Sequence, residues 1–193
     1  MSRRAPPLNP RPERMKARRS VSTPRAWLVA LLAASLLTAC TDPSIQNQVD
    51  ALGGEAPGVE PGPTHRPGQP CVHCHQAGGP GSPAFRVAGT VFQDPEALRP
   101  LTGATVELTD ADGRGYDATT NCVGNFYVAE GEWDPAFPIW ASVVWNKIRV
   151  EMKSPIYREG ACAGCHDLDP GPSSPGHVYL FKRPINAPIG SCE

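Results

Sequence analysis

The sequence lacks any apolar run of the length, about 18 residues, that a membrane-crossing helix needs. Its longest stretch, 26–37, stops at about a dozen. No segment carries the three-to-four-residue apolar periodicity of an amphipathic helix, which speaks against a helical bundle. Charge of one sign is scarce once the N-terminus is set aside. Residues 1–39 hold eight Lys and Arg against Glu13, so the remainder carries about −8 in a chain whose formal total is −1. An acidic surface argues against nucleic acid and against electrostatic adhesion to anionic lipid. No Ser-His-Asp grouping, phosphate-cradling Gly-rich loop or paired catalytic carboxylates can be assembled, so the chain reads as a carrier or binding module and not an enzyme. Asp110-Ala111-Asp112-Gly113 opens like a calcium loop but lacks the later Glu ligand, and a hairpin turn explains it better.

What the sequence has in quantity is proline and glycine, 23 and 19 residues, and seven cysteines. The N-terminus reads as an export address. Arg3, Arg4, Arg11, Arg14, Lys16, Arg18, Arg19 and Arg25 precede the short apolar run. That run ends in Leu37-Thr38-Ala39-Cys40, which resembles the lipobox of bacterial lipoproteins. Small residues at 38 and 39 suit a peptidase pocket, and the Cys40 thiol would accept the diacylglycerol. The resemblance implies removal of 1–39 and a lipid anchor at Cys40 holding the protein in the cell envelope. The anchor would sit in the inner or outer membrane and face the periplasm or the cell surface. Arg18-Arg19 lacks the apolar neighbours of a twin-arginine signal, and Met15 is an equally serviceable start.

Residues 40–70 are polar and rich in Pro and Gly, without apolar periodicity, and are expected to form a flexible tether. The domain proper is expected over 71–193. Strands are predicted at 85–92, 105–109, 116–120, 125–129, 139–144, 147–152 and 177–182, where short alternating segments recur between Gly, Pro and Asn. That pattern predicts an all-β fold, a β-sandwich. Trp133, Trp140 and Trp145 are expected to pack and not to form a sugar platform.

Three ordered elements carry a resemblance. Val87-Ala88-Gly89-Thr90-Val91, then Leu101-Thr102-Gly103-Ala104-Thr105-Val106-Glu107-Leu108, then Thr119-Thr120-Asn121-Cys122-Val123-Gly124-Asn125-Phe126-Tyr127 resemble the carboxypeptidase regulatory-like domain over 86–150. The resemblance implies a transthyretin-like (prealbumin-like) β-sandwich acting as an accessory module without catalytic residues.

Cysteines carry the chemistry. Cys71-Val72-His73-Cys74-His75 and Cys162-Ala163-Gly164-Cys165-His166 are both C-x-x-C-H, the attachment pattern of c-type haem. Two thiols so spaced reach the two vinyl-derived carbons on one porphyrin edge, and the next residue places an imidazole on the iron. Two haems are therefore expected, held by Cys71, Cys74, Cys162 and Cys165 and ligated by His75 and His166. Candidate sixth ligands are His177, His65 and Met152; His73 cannot serve its own motif but can reach the other. Two alternatives use the same cysteines: one four-cysteine zinc site, or two redox-active or disulfide pairs. Cys122 and Cys192 remain and are expected to pair, pinning 186–193 near Asn125.

Each motif lies on a loop about ten residues ahead of a predicted strand. If those strands run parallel the motifs share one end of the fold; if antiparallel they lie at opposite ends. The expected role is electron transfer to a redox partner protein.

Overall fold

A computed structural model describes residues 42–96, 99–167, 171–183, 185 and 187–192. The leader and Cys40 lie outside the described residues. Among the described residues seven strands form two sheets: β1 (Phe85–Phe92), β2 (Thr105–Thr109), β3 (Gly115–Thr119), β4 (Asn125–Ala129), β5 (Trp140–Trp145), β6 (Ile148–Glu151) and β7 (Val178–Tyr179). One sheet has the order β4-β1-β7, the other β3-β2-β5-β6. Helical content is small: α1 (Pro43–Ala51), the single turn α2 (Cys71–Cys74) and a 3₁₀ turn at Cys162–Gly164. The fold is all-β in character, and every predicted strand is present to within a residue or two except the last, which is cut to two residues.

The alternation that predicts these strands also builds the core. Val106 and Leu108 of β2, Ala118 of β3 and Val143 of β5 bury against Val87 and Val91 of β1 and Phe126 and Val128 of β4. Leu101, Ala104, Trp133, Ile139 and Leu180 complete the cluster. Each large apolar side chain so enclosed stabilises the fold by about 1.5–3 kcal/mol. Trp145 packs edge-on to Phe181 and donates its indole N–H to the Thr102 carbonyl at 3.1 Å, whereas Trp140 stays exposed on the outer face. Strand β6 forms the outer edge of its sheet, with every residue exposed.

The hairpin joining β2 to β3 is organised by one carboxylate. Asp110 is fully buried and accepts N–H groups from Asp112 (3.0 Å), Arg114 (2.8 Å) and Ala136 (3.1 Å), with the Arg114 guanidinium at 2.7 Å. Burial alone would raise its pKa, but the N–H donors and the Arg114 charge outweigh it and hold the carboxyl below its ordinary 3.8. A depressed folded pKa contributes stability that is complete above the unfolded value and lost as pH falls through the folded one. Asp110→Asn should therefore be destabilised at pH 7, with the gap to the native chain closing below pH 3.8. Urea titrations across pH 2–7 check this, and a pH-independent gap would contradict it.

Two features depart from the sequence reading. Helix α1 forms where no helix is expected: Asp42 caps it by accepting the Ser44 N–H at 2.8 Å, and Pro43 sits in its first turn. None of its residues is buried, which is why no apolar period betrays it. The segment expected as a free tether also docks in its later part. β4 is an edge strand, and proline-rich chain has few N–H groups with which to extend a ladder. Side chains make the join instead. Asn121 donates to the Pro63 carbonyl at 2.6 Å, Asn125 to the His65 carbonyl at 2.9 Å, and the Gly68 N–H donates to Thr90 Oγ1 at 2.7 Å.

Candidate functional site

Both C-x-x-C-H motifs fold into the same local shape. In each, the histidine N–H closes a helical turn on the first cysteine's carbonyl: His75 on Cys71 at 2.9 Å, His166 on Cys162 at 2.8 Å. In each, the imidazole Nδ1 then donates to a carbonyl eight or ten residues on: His75 to Pro83 at 2.7 Å, His166 to Gly176 at 2.9 Å. A carbonyl only accepts, so Nδ1 must carry the hydrogen, and in the neutral ring Nε2 keeps its lone pair. This is the tautomer and orientation that a metal-ligating histidine needs, with a backbone carbonyl fixing the ring from behind.

The first imidazole is held on three sides. Phe85 stacks on one face with ring centres 4.1 Å apart, and Tyr127 continues the stack behind Phe85 at 4.7 Å. Gly81 lies against the ring, where an added Cβ would come within 2.8 Å of it. Pro83 holds Nδ1. The Nε2 edge is left, and the ring borders a cavity of about 580 Å³ lined also by Cys71, Cys74, His65, Phe85 and Tyr127. That volume lies within the range of small-molecule and cofactor sites.

All four motif thiols are free. The Cys71 thiol donates toward the Gln69 carbonyl at 3.4 Å, and burial pushes its pKa up. Burial does the same at Cys74, and pushes Cys162 up to about 12 with neighbouring Cys71 adding to the rise. These groups are neutral thiols at neutral pH. Cys165 is exposed.

Strands β1 and β7 are parallel, Val91 facing Val178 and Phe92 facing Tyr179. The parallel arrangement brings both motifs beside β1. Ala161 bridges to Ala88, whose N–H donates to the Gly160 carbonyl at 2.9 Å. Cys162 packs on Gly89, where a Cβ would lie 2.7 Å from the cysteine's own. His73 Nε2 meets Glu159 Oε1 at 3.1 Å, a second link between the two motif loops. Cys122 and Cys192 form a disulfide with a Cα separation of 5.3 Å, as their even remainder predicts.

The candidate sixth ligands separate cleanly. His65 shares the first motif's cavity, its ring centre 5.9 Å from that of His75. His177 is buried, and its Nε2 is engaged with the Asp94 carbonyl at 3.0 Å. Met152 lies on the other sheet, in a shallow cleft with Trp140 and Arg149. His73 is turned to Glu159. Among the described residues, no three His, Cys, Asp or Glu side chains come together as a cation site, so the four cysteines do not form a ready tetrahedral set. No helix among them is long and apolar enough to cross a membrane.

Several contributors escape sequence reasoning. Pro83 and Gly176 act through backbone oxygens, which carry no residue signature. Gly81 and Phe85 matter by packing on an imidazole, and only the Pro80-Gly81-Ser82-Pro83 punctuation after the motif hints at a tight return. The chain matches no family model, no curated protein and no solved structure.

Proposed function

We propose that this chain is a lipid-anchored electron-transfer protein carrying two covalent haems of the c type on a transthyretin-like β-sandwich. The observation that carries the reading is the repeated geometry of the two motifs, each with a free thiol pair and an imidazole whose Nδ1 is fixed by a carbonyl. Cys71, Cys74, Cys162 and Cys165 would hold the groups through thioether bonds, and His75 and His166 would ligate the irons. When bound, the haem supplies reversible one-electron chemistry. The chain would hold each ligating imidazole in one tautomer, and at the first site the Phe85 and Tyr127 rings would provide an apolar wall against water. Neighbouring motifs suit electron exchange between the two centres before delivery to a redox partner protein. A tethering lipid on Cys40 would keep that exchange at the envelope surface, and the acidic net charge leaves nucleic acid out of the reading.

Zinc needs three or four protein ligands, whereas a haem iron brings four nitrogens with its porphyrin and asks the protein for one or two. The imidazoles oriented here meet the smaller demand.

Expressed with a haem-attachment system, the exported protein should stay red through acid-acetone extraction, and a pyridine haemochrome assay should count two haems per chain. Cys71→Ala with Cys74→Ala should remove one and spare the other. A colourless product from a strain that matures other c-type cytochromes, with stoichiometric zinc, would overturn the proposal.

A further inference from the structure

We infer that His65 is the second axial ligand of the iron at the first motif, with Glu55 as its positioning residue. The inference rests on the haem reading and deepens it, since it gives the 52–70 segment a chemical task. Two imidazoles on opposite sides of one metal, each nitrogen about 2 Å from it, have ring centres about 6 Å apart. His65 and His75 stand at 5.9 Å with their planes 73° apart. Both line the cavity that receives Cys71 and Cys74.

The arrangement around His65 has the same logic as that around His75. Glu55 Oε1 lies 3.3 Å from His65 Nδ1, close enough for charge pairing although off the line of a hydrogen bond. A carboxylate there favours a hydrogen on Nδ1 and leaves the Nε2 lone pair for a metal. The carboxylate is itself secured. Arg66 Nε donates to Glu55 at 2.8 Å, and its other nitrogens donate to the Leu52 carbonyl at 3.4 Å, the Gly53 carbonyl at 2.6 Å and Gln69 at 2.7 Å. Arg66 adopts a φ of +49°, a left-handed conformation that a branched stretch of fixed contacts must hold in place. On the other side, Asn125 donates to the His65 carbonyl, and Thr90 donates to Asn125 at 2.7 Å. A hydrogen-bond chain from β1 and β4 thus fixes the backbone of His65, while Arg66 holds the Glu55 carboxylate beside its ring. The other candidates do not line this cavity: His177 has its Nε2 engaged by the Asp94 carbonyl, and Met152 belongs to the other sheet.

The test uses the mature full-length holoprotein. Haemochrome assay first establishes the haem count, and ferric EPR with near-infrared magnetic circular dichroism then reads the axial ligands. The native protein should contain one bis-histidine low-spin centre. His65→Ala should convert that centre alone to high-spin or water-ligated iron, with added imidazole restoring the low-spin signal and both haems retained covalently. Glu55→Gln should keep the centre low-spin but lower its imidazole ligand field and raise its reduction potential. Two haems with no bis-histidine signature in the native protein, or an unchanged spectrum in His65→Ala, would overturn the assignment while leaving the haem proposal standing. No haem at all would overturn the parent reading.

Discussion

Replacing Cys122 and Cys192 by serine should cost about 4 kcal/mol of unfolding free energy, the value expected when a disulfide closing a loop of this length is removed from the unfolded chain's constraints. The bond spans 70 residues of sequence, from the β3–β4 turn to the C-terminus. Other contacts join it at that end: Gln93 donates to the Ala187 carbonyl at 3.2 Å, the Gly190 N–H donates to Thr102 Oγ1 at 3.2 Å, and Thr102 in turn donates to the Cys122 carbonyl at 3.3 Å. Urea unfolding of the double variant beside the oxidised native chain measures the loss. Equal midpoints would contradict the expectation. So would both thiols proving alkylatable in the oxidised native protein. Losing about 4 kcal/mol would take away much of the 5–15 kcal/mol that a domain of this size has to spare.

Gly160→Ala should be the most damaging single substitution near the motifs. A Cβ at 160 would run into the Arg86 carbonyl and come within 2.8 Å of Val87 Cα, both main-chain atoms of β1. At Gly89 the corresponding Cβ meets chiefly the Cys162 side chain. Strand backbone yields far less than a side chain does, so the first substitution should cost about 3 kcal/mol and the second less. The accommodation at 160 would break the Ala88 N–H bond to the Gly160 carbonyl and lift the second motif from β1. Two measurements check this: the denaturation midpoint, and the rate at which Cys162 is alkylated, which should rise in Gly160→Ala. A native midpoint together with a native alkylation rate would count against it.

Legibility followed the physical source of each signal. Strands β1 through β6 were readable because period-two apolar patterning and Gly or Asn turns are local properties of the chain, as in Thr105–Thr109 with its alternating burial. The Cys122–Cys192 pair was readable by counting. Helix α1 was missed because it buries no residue, even though Asp42-Pro43 spells a cap. The docking of 63–68 was missed because it depends on side chains of Thr90, Asn121 and Asn125 that meet main-chain groups distant in sequence, the Gly68 N–H and the Pro63 and His65 carbonyls. The motifs themselves were plain, but not their adjacency. That follows from the direction of β7 against β1, a tertiary choice that the sequence of a two-residue strand does not encode. His65 was one of several equal candidates until its distance from His75 separated it from the rest.

The outer strand β6 carries a consequence of another kind. It offers an unpaired ladder edge with Ile148 and Val150 exposed, the arrangement that invites strands of other molecules to add on and grow aggregates. Between them stands Arg149, paired with Glu107 of β2 and with Glu151 at 3.0 Å. An incoming strand would have to strip water from this bound trio before forming its first hydrogen bond. The charges contribute little to folding in so exposed a place. Their value is as gatekeepers, keeping copies of the chain from zipping together along this edge.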